Sequence, residues 1–158
     1  MKVRRARRRR VGDAALPPAA TALRYIESSA LLAALLEQDA EALEELRAIG
    51  QRVTSALTCA EASRALIRAR VAGRITQADE RVALRALQTF ERRCAIVAVT
   101  DAVLTRAGRP FPVEPVRTLD AIHLATAELL GEAPQLVTLV TRDERVGRNA
   151  RALGYVVA

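Results

Sequence analysis

The chain has 158 residues, 51% hydrophobic and 27% charged, a balance that suits one domain with a buried core. No apolar run reaches the roughly 20 residues of a membrane span, Cys59 and Cys94 form no C-x-x-C pair, and the single His123 excludes a multi-histidine metal site. The net charge of +7 points to a polyanionic partner, although Tyr25, Phe90, Phe111 and Tyr155 are too few rings for a base-stacking platform.

The charge is uneven. Lys2, Arg4, Arg5 and Arg7 to Arg10 against Asp13 alone give residues 1–22 a net +6. The other 136 residues hold 18 basic and 17 acidic side chains, so the body is nearly neutral. A like-charge block repels itself, and residues 1–22 read as a disordered basic tail that Pro17-Pro18 closes as a linker. Gly12, Asp13, Pro17 and Pro18 interrupt any apolar stretch after the arginines, which argues against a secretory signal and for a cytoplasmic protein.

In chain order, Ala22 to Ile26 reads as a strand, Ser29 to Leu36 as a helix and Ala40 to Ile49 as a second helix stopped by Gly50. Arg52 to Ala56 is a short strand and Thr58 to Ala72 a helix ended by Gly73. Thr76 to Arg92 is amphipathic, with Val82, Leu84, Leu87 and Phe90 as its expected buried stripe. The apolar run Cys94 to Val99 suggests a strand covered on both faces, with Cys94, like Cys59, a small buried hydrophobe. Thr100 caps a helix to Ala107, and the three prolines of Gly108 to Pro115 mark a loop. Thr118 to Leu130 is helical, Leu136 to Val140 a strand, Glu144 to Leu153 a helix, and Tyr155 to Val157 a last strand. Strands alternating with helices imply an α/β fold, a three-layer α/β/α sandwich around a mostly parallel sheet of four to five strands.

Four carboxylates occupy equivalent places in this scheme. Glu27 follows the first strand, Glu61 and Asp120 sit in the first turns of their helices, and Asp143 follows the strand ending at Val140. In a doubly wound sheet these places share one edge, where ligands bind. Clustered carboxylates repel unless a cation sits among them, and a hard divalent ion prefers oxygen ligands. Such an ion can drive phosphodiester hydrolysis without a nucleophilic side chain. Local uses compete with this reading. Thr58-Cys-Ala-Glu61 matches a capping box, Asp120 suits a helix dipole, and Asp143 suits an N-cap. Glu27 has the least local purpose of the four. His123 reads as a packed core residue, Arg142, Arg145 and Arg148 as phosphate contacts or a solvated face, and Asn149 has no evident role.

The segments YIESSALL (25–32), TCAEASRAL (58–66), RTLDAIHLATA (117–127) and LVTRDERVGRNARALGYVV (139–157) resemble, in order and spacing, the four motif regions of PIN domains, and most closely the VapC toxins of VapBC toxin–antitoxin pairs. The resemblance spans residues 23–158. It implies a metal-dependent endoribonuclease using Mg2+ or Mn2+, with Glu27, Glu61, Asp120 and Asp143 as catalytic and metal residues. Ser28 and Thr141 would then orient carboxylates or water. It also implies an RNA substrate, a cognate VapB-type antitoxin and a homodimer. The family usually carries aspartate where this chain has Glu27, so the longer arm is expected to alter the metal geometry rather than abolish it. The competing readings are an inactive PIN-like binding module, which Glu27 favours, and a nucleic-acid-associating protein that works through its arginine tail.

Overall fold

The computed structural model describes residues 22–158, so the basic tail, apart from Ala22, lies outside the described residues. Five parallel strands form one sheet in the order β3-β2-β1-β4-β5. The strands are β1 (Leu23–Ile26), β2 (Gln51–Ser55), β3 (Ala95–Val97), β4 (Val137–Val140) and β5 (Val156–Val157). Among the described residues, seven α-helices cover its two faces: α1 (Ser28–Leu32), α2 (Ala40–Arg47), α3 (Ala56–Val71), α4 (Gln77–Glu91), α5 (Asp101–Ala107), α6 (Thr118–Glu128) and α7 (Glu144–Ala152).

Alternation along the strands builds the two cores. Tyr25, Val53, Val137 and Leu139 pack with α5, α6 and α7, while Ile26 and Val140 pack with α1, α3 and α4. α6 is buried at every position from Ala121 to Ala127, which is why its sequence is apolar on all sides. The chain runs outward from β1 through β2 to β3, then returns to start β4 on the other side of β1. The strand order therefore reverses between β1 and β4, the place where open parallel sheets bind their ligands.

Several expectations need correction. The first helix is not continuous α-helix: it passes into a π-helical stretch at Ala33–Glu37, closed by Gln38 at φ 51°. α2 ends at Arg47 with Ala48 as its C-cap, so Gly50 does not stop it; Gly50 is needed because at its φ of +146° a Cβ would meet Ala22 O at 2.5 Å. The apolar run at Cys94 forms only a three-residue strand at the sheet edge, with Ile96 exposed. Ala95 and Ile96 are exposed and Val97 only partly buried, so that run is not covered on both faces. Val82 is also exposed, since α4 meets α3 through Ala83 and Leu87. Leu84 and Phe90 are only partly buried. Cys59 and Cys94 are half-buried rather than buried. Burial pushes their thiols up, to about 11 and about 12, so both stay protonated.

These assignments separate two substitutions. Leu124→Ala, at a fully buried α6 position, lowers unfolding free energy by about 3 kcal/mol. Val82→Ala changes it by less than about 0.5 kcal/mol. Urea denaturation of both variants checks the pair.

Candidate active site

The parallel register pairs Ile26 with Val140, and Glu27 N–H donates to Val140 C=O at 3.0 Å. Both strands leave the sheet just beyond this pair, so Glu27 and the segment Thr141 to Asp143 emerge side by side. Ser29 joins the two exits. Its hydroxyl donates to Glu27 Oε2 and accepts from the backbone N–H groups of Arg142 (2.8 Å) and Asp143 (3.0 Å).

Glu27 is 4% exposed and fully engaged. Ser28 Oγ donates to Oε1 at 2.6 Å, and Thr141 Oγ1 donates to Oε2 at 2.8 Å. Ser29 N–H donates to Oε2 at 3.0 Å, which makes Glu27 the N-cap of α1. Glu27 therefore has the local purpose that its sequence context did not suggest. A buried carboxylate needs such donors to offset the loss of water.

Glu61 arrives from α3. Because β2 runs into this helix without a loop, Ser55 is the N-cap and α3 begins at Ala56. Glu61 consequently lies in the second turn, and the capping box at Thr58 does not form. Its Oε2 instead meets His123 Nε2 at 2.7 Å. Burial alone would raise the Glu61 carboxyl, but the imidazole beside it holds it below the usual range.

His123 is buried, yet it is more than packing. Its Nδ1 lies 3.0 Å from the Tyr25 hydroxyl. Burial pushes that phenol far above its ordinary pKa, so it stays protonated and can donate to Nδ1. In the neutral ring the imidazole proton then sits on Nε2, facing Glu61. His123 Nε2 also lies 3.7 Å from Glu27 Oε1. Glu27, Glu61 and His123 each offer a ligand atom within 4.8 Å of the others.

Asp120 and Asp143 fall outside that trio but adjoin it. Asp120 is the third residue of α6, and burial, followed by the charges of Asp143 and Glu27, raises its carboxyl above the usual range. Arg117 and Arg145 pull the other way. Among the described residues, Asp120 Oδ2 is buried without a hydrogen-bond partner. Asp143 Oδ1 caps α7 through Arg145 N–H (2.8 Å) and Val146 N–H (3.2 Å), leaving its second oxygen for another ligand. An orphaned, buried carboxylate oxygen that feels the charges of Asp143 and Glu27 is an environment a hard cation satisfies, so the donor set fits a divalent metal. Arg142 is drawn away from this centre, with Asp39 at 3.8 Å and Glu41 at 3.6 Å.

Residues 24–152 match the PIN domain. The chain belongs to the PIN-domain family. This PIN domain is 41% identical to Ribonuclease VapC46 of Mycobacterium tuberculosis, across 84% of this chain and 94% of that protein. It is 39% identical to Ribonuclease VapC35 of the same species, across 84% and 93%. It shares its fold with a chain of the VapBC2 complex of Rickettsia felis, solved bound to a DNA fragment from their promoter, at TM-score 0.59 and 11% identity over 86% of this chain and 97% of that one. Among the described residues, no helix of the PIN domain is long and apolar enough to cross a membrane.

The unpartnered Asp120 carboxylate costs the metal-free fold stability. The folded-state pKa of Asp120 is raised, so its ionised form costs stability at neutral pH, and the cost fades as pH falls through that pKa. Metal-free Asp120→Asn therefore unfolds at or above the wild-type temperature at pH 7. The gain is small, because the group is half-exposed, and it shrinks in acid. A divalent cation held through Asp120, at about a hundredfold excess over its dissociation constant, would add about 2.7 kcal/mol to the wild type and little to the variant. Thermal unfolding with and without Mn2+ at two pH values checks both statements.

Proposed function

We propose that the protein is a VapC-type endoribonuclease toxin that hydrolyses RNA phosphodiester bonds with Mg2+ or Mn2+ and is neutralised by a cognate VapB-type antitoxin. The observation that carries this reading is the placement of Glu27, Glu61, Asp120 and Asp143 around the strand-order switch, with the orphaned Asp120 oxygen among them. Two relatives named as VapC ribonucleases and a neighbour solved as a VapBC complex support it. In this reading the toxin is a cytoplasmic homodimer that pairs with its antitoxin.

Glu27, Glu61, Asp120 and Asp143 would hold the cation. When bound, it supplies a Lewis acid at the phosphate oxygens and a more acidic water. The protein's own part is positioning and electrostatics. Ser28, Ser29 and Thr141 fix the Glu27 oxygens by hydrogen bonds, so the carboxylate does not have to reorganise when substrate arrives. Tyr25 holds the His123 ring, and His123 holds Glu61. Asp120, with the least satisfied oxygen, gains most from a cation and is the acid on which the site most depends.

Cleavage of total cellular RNA tests the proposal. The wild type cuts in Mg2+ or Mn2+ and stops in chelator. Asp120→Asn, with an unchanged circular dichroism spectrum, loses at least about a hundredfold. Undiminished cleavage by the variant removes the proposed site, and no cleavage in either metal removes the nuclease assignment.

A further inference from the structure

α7 carries three further polar residues beyond the four acids. Arg145, Arg148 and Asn149 are spaced i, i+3 and i+4, so they share one face of the helix. With Val113, Glu114 and Pro115 of the proline loop they line a pocket of about 270 Å³.

Asn149 is 1% exposed. Its Oδ1 accepts from Val113 N–H at 2.9 Å, and its Nδ2 donates to Val113 C=O at 2.9 Å. One amide thus satisfies both backbone groups of a residue 36 positions away. The loop is fixed from within as well. Phe111 is buried in the core under the Arg106 guanidinium, 4.0 Å from its ring centre. Glu114 accepts from the N–H groups of Phe111 (2.9 Å) and Val116 (2.7 Å). The carboxylate on the pocket wall is therefore engaged by the loop's own amides.

The arginines opposite are not engaged in that way. Among the described residues Arg24, Arg70, Arg106 and Arg142 lie within ion-pair distance of carboxylates, but Arg145 and Arg148 do not. Arg145 also links the pocket to the acids. Its backbone N–H holds Asp143, and its guanidinium charge is felt at Asp120. RNA lying with one phosphate at the acids must lay its next phosphates alongside. A planar guanidinium suits a phosphate, and no aromatic side chain lines the pocket to read a base.

We propose that this pocket seats an RNA phosphate adjacent to the one that is cut, held by Arg145 and Arg148, and that Asn149 is the positioning residue that fixes the pocket wall. The proposal rests on the ribonuclease reading above. RNA is favoured over an acidic antitoxin side chain because the polynucleotide itself tethers the second phosphate beside the first.

Two measurements on the full chain test it. The first is cleavage kinetics on an oligoribonucleotide that the wild type cuts. Arg148→Ala and Arg145→Ala each raise KM about tenfold, with a smaller effect on kcat. Asn149→Ala raises KM in the same way but adds little in the Arg148→Ala background, because both act through one pocket. Asn149→Asp keeps the acceptor for Val113 N–H and falls between wild type and Asn149→Ala. The second is binding of a fluorescent oligoribonucleotide to the Asp120→Asn chain across salt concentrations, which needs no activity. Removing either arginine there lowers the slope of log affinity against log salt by about 0.7. Unchanged KM and unchanged slope overturn the proposal, as does loss of antitoxin binding with RNA kinetics intact. If the parent cuts no RNA in either metal, the ribonuclease reading fails, and the binding arm still decides whether the pocket holds phosphate.

Discussion

Glu27 N–H donates to Val140 C=O at the last rung between β1 and β4, where both strands leave the sheet. Everything at the site hangs from this rung. It brings a glutamate that caps α1 next to a segment whose aspartate caps α7. The Ser29 hydroxyl ties the two exits by accepting from Arg142 and Asp143. A slip of β1 by one residue in this register would turn Ile26 out of one core and Tyr25 out of the other, so core packing fixes the site.

The site combines acids whose local bonding is complete with acids whose bonding is not. Glu27 is enclosed by hydroxyls and an amide, and Glu61 is paired with His123. Asp120 keeps a buried oxygen without a donor, and its charge is opposed by Asp143 and Glu27. Stability alone would remove that arrangement. In the proposed metal site that deficit at Asp120 is what a bound cation would relieve.

Much of this was legible in the sequence, for identifiable reasons. Apolar runs bounded by glycine or helical periodicity marked all five strands and the main helices. The four acids stood out because each followed a strand or opened a helix. An apolar run cannot show whether helices pack over it, so Cys94 to Val99 reads as covered although Ala95 and Ile96 are exposed. Helical periodicity finds an apolar face without showing which part meets a neighbour, and so placed Val82 inside. The Tyr25–His123–Glu61 chain joins residues 98 and 62 positions apart, beyond the reach of local pattern. Asn149 carried a usable signal. It sits on the buried side of α7 with Val146 and Ala150, and a buried amide must find partners. That the partner is the proline loop emerges only from the tertiary structure.

The central claim is that a divalent cation completes the acid cluster at Asp120. Crystals soaked in Mn2+, with anomalous scattering recorded at the manganese edge, test it most directly. The account predicts one or two peaks in direct contact with the Asp120 carboxylate and bordered by Glu27, Glu61 and Asp143, absent from crystals of Asp120→Asn. A fully occupied metal bound elsewhere, or a peak that survives in the variant unchanged, would contradict it.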